Sequence, residues 1–297
     1  MPPTPQEIID RYTYSDADKT AVFNDIVRPG YADRKVRATL SSGNKPVAYI
    51  LGGQPGAGKS ELIDIIKAQL LMNVVECNAD NFREYHPQHE DIIKEPSDYY
   101  PDLTGKFANV VNDVLVNHCL EKKLNFILET TFSSRGVMNS TIKKFAKRGY
   151  IVNVAIMAVN PKLSYLNTMT RYEQMLKDPL VFARKVGVER HDERYPLVEE
   201  TLKMVQKSNL YDHIYIYGRA GLAAHKNKKN GLVLKYKGGK SALNAYIKER
   251  DKQWPDKDKQ YFMQRALLLA ESMVRRNASM NELRELFHYY DFSDYTL

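Results

Sequence analysis

Gly53-Gln54-Pro55-Gly56-Ala57-Gly58-Lys59-Ser60 sets three glycines, a lysine and a hydroxyl in the spacing G-x-x-x-x-G-K-[ST]. That pattern suits the cradling of a polyphosphate. Glycines let backbone N–H groups curl around a β-phosphate without Cβ clashes, and a helix beginning at the lysine would present its positive end to the anion. In such a loop Lys59 reaches the β- and γ-phosphates, and the Ser60 hydroxyl holds Mg²⁺. The motif requires a strand before it and a helix behind it. Both are present, as the apolar run Val47 to Leu51 and the helically spaced Glu61 to Ile66.

Other candidate residues stand where further strands are expected to end, the place where open α/β sheets bind ligands. Asp80 follows the run Val74 to Cys77. It has three readings open to it: acceptor of a proton from an attacking hydroxyl, anchor for Mg²⁺, or N-cap of the next helix. Glu129 ends the buried run Asn125 to Leu128, where a carboxylate is costly unless a cation meets it, which favours a metal or substrate role. Thr131 follows, with a hydroxyl suited to a sugar or phosphate or to an ordinary turn. Arg171 and Arg184 flank Asp178-Pro179, an expected break between helical pieces. A guanidinium suits the charge that phosphoryl transfer spreads over equatorial oxygens, and equally an ion pair on the surface. His86 before Pro87 reads as a turn residue, and His191-Asp192 as a local pair.

The elements that must position these groups alternate. Helices are expected at Gln6 to Tyr12 and at Ala17 to Val27, stopping before Pro29-Gly30. Between the strands lie helices at Thr104 to Lys122, Val137 to Arg148, Leu163 to Leu176 and Leu197 to Ser208. Tyr150 to Val159 is the most continuous apolar run and reads as a central strand, with His213 to Tyr217 as the next. Alternation of this kind implies an α/β fold with a parallel sheet and helices on both faces. After Ser241 only helices are expected, at Ala242 to Trp254, Lys257 to Arg276 and Met280 to Tyr290. The chain thus divides into a helical lead-in (1–45), an α/β core (46–240) and a helical extension packed on it (241–297).

Composition narrows the class. The chain has 297 residues, is 43% hydrophobic and 27% charged, and carries a net charge of +8. This is the profile of a globular protein, and the charge suits a partner rich in phosphate without choosing among nucleotides, nucleotide sugars and nucleic acids. No apolar run approaches the roughly 20 residues that span a bilayer, and the first residues have neither the basic nor the apolar part of a secretion signal. Cytoplasmic residence without a membrane partner is the expectation. Two cysteines, Cys77 and Cys119, form no metal-ligand set. Six lysines between Lys226 and Lys240 have no acid among them. They read as a solvated hairpin around Asn230-Gly231, with nucleic-acid binding as the open alternative.

Taken in order, these segments resemble the zeta toxin family of bacterial toxin–antitoxin systems. The resemblance runs through Gly52 to Ser60, Asp80-Asn81-Phe82-Arg83 with His86-Pro87, Glu129 and Thr131, Leu163 to Leu166, Arg171-Tyr172-Glu173, Pro179, Ala183-Arg184 and His191-Asp192. It is dense from about residue 45 to 218. The phosphate loop is shared by many families; the Asp-x-Phe-Arg-x-x-His-Pro and Arg-Tyr-Glu elements are far more specific.

The resemblance implies a P-loop kinase fold and an enzyme that uses ATP or GTP with Mg²⁺ to phosphorylate the 3′-hydroxyl of UDP-N-acetylglucosamine. It implies Asp80 as general base, and Lys59, Arg171 and Arg184 as the γ-phosphate clamp. Ser60 becomes the metal ligand, and Asp80, Arg83, Glu129 and Thr131 the acceptor contacts. It also implies a small helical antitoxin that occludes the nucleotide site. One departure bears on the acceptor. Many relatives have Glu-Gly-Thr followed shortly by arginine, whereas here Glu129-Thr130-Thr131 is followed by Phe132-Ser133-Ser134, with Arg135 displaced.

Overall fold

A computed structural model describes residues 5–35, 45–178, 182–222 and 231–289. Six strands form one sheet: β1 (Val47–Gly52), β2 (Val75–Cys77), β3 (Phe126–Glu129), β4 (Ile151–Met157), β5 (His213–Arg219) and β6 (Leu232–Gly238). Around it lie helices α1 (Pro5–Arg11), α2 (Asp16–Val22), α3 (Lys59–Gln69), α4 (His89–Ile92), α5 (Tyr100–Lys122) and α6 (Arg135–Lys147). They are followed by α7 (Pro161–Met175), α8 (Val188–Asp192), α9 (Arg194–Ser208), α10 (Ala242–Arg250), α11 (Asp256–Arg275) and α12 (Met280–Leu286).

The strand order is β2-β3-β1-β4-β5-β6. The first five strands are parallel, and β6 runs antiparallel to β5. The sheet expected from the sequence is therefore present, with one addition. Leu232 to Gly238 is an edge strand where a solvated hairpin was expected. Its lysines keep that edge charged, which discourages pairing with another chain. Lys235 lies 3.4 Å from Glu249, and Lys237 sits 5.6 Å over the Tyr215 ring. Lys226, Lys228, Lys229 and Asn230 lie outside the described residues, as does Pro179.

Alternation along β1 sorts the core into two layers. Ala48 and Ile50 join Phe107, Val111 and Leu115 of α5, Ile142 and Phe145 of α6, and Val198, Leu202 and Val205 of α9. Leu51 points the other way, to Leu62, Ile63 and Ile66 of α3 and to Leu163, Leu166 and Met169 of α7. The C-terminal helices divide between these layers. Ala242 and Tyr246 of α10 enter the first, while Phe262, Ala266, Leu269 and Met273 of α11 enter the second.

Helical structure does not stop before Pro29-Gly30. A wide turn continues from Phe23 to Ala32, because its longer repeat brings Phe23, Val27 and Ala32 onto one buried face. The most apolar segment, β4, is buried along its length after Ile151, and it pairs with both β1 and β5. Among the described residues no helix is long and apolar enough to cross a membrane. Cys77 and Cys119 are both buried free thiols.

Candidate functional site

The chain leaves β1 at the place where the sheet order reverses. β2 and β3 lie to one side, and β4 and β5 to the other, so the loop after Gly52 opens into a crevice between strand ends. The loop turns sharply at Gly56 and Gly58, with φ of +76° and +89°. Both positions are also crowded. A Cβ on Gly56 would lie 2.0 Å from the Ser164 carbonyl oxygen, and one on Gly58 would lie 2.1 Å from the Arg219 guanidinium. Gly58 caps α3, whose first residues are Lys59 and Ser60.

Lys59 curls back over the loop. Its Nζ donates to the Gly53 carbonyl at 2.8 Å and to the Gln54 carbonyl at 3.3 Å, and it stands 3.6 Å from Glu129 Oε1. Burial pulls the amine below its ordinary value, and Glu129 opposes that shift. Burial likewise raises the Glu129 carboxyl, against the pull of Lys59. Asn78 Nδ2 donates to Glu129 Oε2 at 2.8 Å and so fixes the carboxylate in place.

Opposite the loop stands Asp80. Asn78 caps the short helix Ala79–Tyr85 and accepts from the Asp80 N–H at 3.0 Å, so the N-cap is Asn78, two residues earlier, and not Asp80. Arg83 Nε donates to Asp80 Oδ1 at 2.7 Å, and Arg184 Nη1 lies 3.8 Å from the same oxygen. Burial would raise this carboxyl. Arg184, Arg83 and Arg171 together outweigh it and hold Asp80 below the ordinary carboxylate range. Arg83 also donates to the Pro101 carbonyl at 3.0 Å and to Thr104 Oγ1 at 2.9 Å. Its fork is thus spent largely on positioning Asp80 against α5. Burial and the like charge of Arg184 pull Arg171 below its usual value.

One cleft of about 1060 Å³ is lined by Lys59, Ser60, Asp80, Arg83, Glu129, Thr131, Arg171 and Arg184, together with Pro55, Gly56 and Gly58. Ligand pockets commonly run to ~300–1,000 Å³, so this one has room for a donor and an acceptor together. Thr130 and Thr131 line it as well, at a turn where Thr130 Oγ1 accepts from Phe132 N at 2.8 Å. Phe132 is buried there with φ of +54°. Ser133 accepts from Arg194 Nη1 at 2.9 Å, and Arg194 also lines the cleft. An arginine therefore reaches this turn from α9.

Gln54 and Ala57 turn their side chains away from the cleft, and both are buried. Gln54 Nε2 donates to Tyr195 Oη at 2.5 Å and to the Val159 carbonyl at 3.2 Å. Tyr195 Oη lies 2.5 Å from Ser164 Oγ, which lies 2.7 Å from His191 Nε2, and His191 Nδ1 is 2.9 Å from Asp192 Oδ1. His191-Asp192 is more than a local pair: it ends a buried chain of polar contacts that begins in the phosphate loop. Ser164 and His191 are fully enclosed, so this Ser-His-Asp series supports the loop and meets no substrate. His86 is a turn residue as expected, with Nδ1 accepting from the Gln88 N–H at 3.1 Å. Its ring packs edge-on against Tyr14 and Phe107.

Burial lowers the His191 pKa, against the pull of Asp192. The folded chain therefore holds the neutral ring, while the unfolded chain takes a proton near the ordinary value of 6.5. Its contribution is present above that value and is lost as pH falls through the lower folded one. Burial depresses His86 and His118 in the same sense. Thermal melts at stepped pH are expected to show Tm falling below about 6.5, with a shallower fall in His191→Gln. Equal slopes in both proteins would clear His191 of this role.

Sequence reasoning missed Asn78, Arg194 and Arg219. Arg219 ends β5, approaches Gly58 and pairs with Glu61. The rule that picked Asp80 and Glu129 at strand ends would have found it too.

Five parallel strands around a glycine-bent phosphate loop, facing a wall of arginines, define a P-loop kinase-like protein. The chain belongs to the zeta toxin family, whose description, Zeta toxin, matches residues 31–230. It is 29% identical over 197 residues to toxin PezT of Streptococcus pneumoniae serotype 4, covering 66% of this chain and 78% of PezT. It is 28% identical over 182 residues to toxin zeta of Enterococcus hirae, covering 61% of this chain and 64% of that toxin. A solved chain from the PezAT chromosomal toxin–antitoxin system of S. pneumoniae superposes with a TM-score of 0.74 at 22% identity. That match covers 88% of this chain and 99% of the other, and it establishes the shared fold.

Proposed function

We propose that this chain is a phosphotransferase that moves the γ-phosphate of ATP or GTP to a hydroxyl of a nucleotide sugar, with the 3′-hydroxyl of UDP-N-acetylglucosamine as the acceptor. One observation carries the reading. Lys59 on the phosphate loop and Asp80 with its arginines face each other across a cleft large enough for two ligands. Support for this acceptor comes from membership of the family and from the hydroxyl and carboxylate groups of Thr131 and Glu129 on the same wall.

In the step itself the acceptor oxygen attacks the γ-phosphorus and gives its proton to Asp80. The bond from that phosphorus to the β,γ-bridging oxygen breaks, and the nucleoside diphosphate leaves. Arg171, Arg184 and Lys59 meet the charge on the transferring group, and most of the catalysis comes from positioning and charge stabilisation. Arg83 holds Asp80 and helps keep it ionised. Ser60 and Glu129 are hard oxygen donors on the cleft wall, the donor type that suits Mg²⁺ held by one or two protein groups and substrate phosphates. Mg²⁺ would supply neutralisation of the β- and γ-oxygens.

The unit that carries this chemistry is residues 46–240, with 1–45 as lead-in and 241–297 as an extension packed on it. Its partners are a cytoplasmic nucleotide sugar and a small helical antitoxin that covers the cleft. The terminal helices α10 and α11 are tied into the two core layers, so cover by a separate chain fits better than cover by these helices. A nucleic-acid end as acceptor is disfavoured by Lys235 and Lys237, whose contacts are with Glu249 and Tyr215.

The test is incubation of the pure protein with Mg²⁺, ATP or GTP and UDP-N-acetylglucosamine, read by product mass. The expected product is the acceptor plus one phosphate. Unchanged acceptor mass with every donor and metal tried would overturn the substrate. Hydrolysis indifferent to any acceptor would point instead to a nucleotide-dependent binding protein.

A further inference from the structure

The cleft continues past the phosphate loop to a wall beyond the family match. That match ends at residue 230, whereas α11 begins at Asp256. Tyr261 and Arg265, one turn apart on α11, line the same cleft as Gly58 and Ser60, with Arg219 and Leu222 beside them. Strand order says which part of a ligand meets this wall. Asp80 follows β2 and Glu129 ends β3, both on one side of β1, so the reacting phosphate belongs there. Arg219 ends β5, on the other side of β1 and β4. A nucleoside whose β-phosphate sits in the loop therefore extends toward β5 and α11. That end of the cleft offers an aromatic ring, an apolar side chain and guanidinium planes. Such surfaces stack on a nucleobase.

The helix is anchored to this place. Phe262, Ala266, Leu269 and Met273 are buried in the second core layer. Arg265 Nη2 donates to Asn167 Oδ1 at 2.9 Å, and Asn167 Nδ2 donates to the Gly56 carbonyl at 2.9 Å. This relay joins α11 to the backbone of the phosphate loop through α7.

We propose that α11 forms the nucleobase subsite of the phosphoryl donor, with Tyr261 stacking on the base while Arg265, through Asn167, holds the phosphate loop in register. The proposal rests on the reading of this cleft as a nucleoside triphosphate site. It places part of the donor site in a segment outside the family match, where a change at Tyr261 alters donor affinity and leaves the loop and Asp80 as they are.

Calorimetric titration of the full chain with ATP, GTP and inorganic tripolyphosphate separates the two layers of the argument. Trp254, the only tryptophan, packs 5.0 Å from Phe262 on α11 and gives a second readout in its fluorescence. Tyr261→Ala is expected to weaken the nucleoside triphosphates about tenfold, within the range of one base stacked on an aromatic ring. Tripolyphosphate affinity is expected to stay the same, and Tyr261→Phe to bind as the unsubstituted chain does. Equal loss for tripolyphosphate would mean that Tyr261 supports the loop and touches no base, which overturns the subsite. Unchanged nucleoside triphosphate affinity in Tyr261→Ala would overturn it as well, with the nucleotide reading intact. If the unsubstituted chain binds neither nucleotide nor tripolyphosphate, the underlying reading falls and the subsite with it.

Discussion

Asp80→Asn is expected to lower phosphoryl transfer by ~10²–10⁴-fold, the usual contribution of a positioned general base, while leaving nucleotide affinity nearly unchanged. Asparagine keeps the volume, and its amide oxygen can still accept from Arg83 Nε, now 2.7 Å from the carboxylate. What it lacks is a lone pair basic enough to take the acceptor proton. Asp80 lies across the cleft from the loop that would hold the donor, so binding and turnover should separate cleanly. Arg184, Arg83 and Arg171 hold Asp80 ionised below the ordinary carboxylate range despite its burial. Its protonation should therefore contribute no acid limb to kcat/KM until pH falls below the usual value of 3.8. The same depression makes Asp80 a stabilising group above its unfolded pKa, a contribution lost as pH falls through the folded value. Product formation by mass and ATP binding by calorimetry, on the same preparation, check this expectation. Turnover that survives in Asp80→Asn would remove Asp80 from the proton transfer.

Gly56→Ala should act on the other half of the site, weakening donor binding by orders of magnitude. The residue sits at φ of +76°, and its added Cβ would meet the Ser164 carbonyl oxygen at 2.0 Å and Thr168 Cγ2 at 2.9 Å. The left-handed backbone alone costs an L-residue ~1–2 kcal/mol, and an overpacked methyl adds ~1–3 kcal/mol. Ser164 cannot easily give way. Its hydroxyl is bonded to His191 and Tyr195, and Asn167 holds the Gly56 carbonyl from the same helix. The loop must shift instead, and the sum of ~2–5 kcal/mol corresponds to a loss of roughly 30- to 4,000-fold in affinity. A fall in Tm should accompany it. Gly136→Ala is the control, since a Cβ there meets nothing within 4 Å. Tight ATP binding by Gly56→Ala would show that the loop tolerates displacement and that its observed path is not the binding one.

The wall of the cleft was partly legible because strand ends leave marks in sequence. Asp80 and Glu129 each follow a short buried run, where an acid is conspicuous against apolar neighbours. Arg171 and Arg184 leave no such mark. One lies on α7 and the other beyond its end, and only the folded path brings Arg184 to within 3.8 Å of Asp80. Arg83 stands beside Asp80 as its motif suggests, yet its bonds to Pro101 and Thr104 give it a positioning task that spacing does not reveal. Gln54 sits inside the phosphate-loop motif, yet its side chain points into the core toward Tyr195.

By itself the sequence determined the loop, because the tight turns at Gly56 and Gly58 need glycine whatever surrounds them, and a lysine and serine must open the helix behind. It also determined the alternation of strands and helices, since apolar periodicity is a local property of the chain. Only the tertiary structure decided which charges share the cleft. Leu232 to Gly238 became a sixth strand because β5 offered a free edge, and His191 became a buried support because Ser164 and Tyr195 enclosed it. Tyr261 and Arg265 came to line the cleft beside the phosphate loop because the apolar face of α11 had to be buried in the second core layer, against α7. Contacts of this kind join residues from 27 positions apart, as for Ser164 and His191, to 98, as for Asn167 and Arg265, and no local pattern in the chain encodes them.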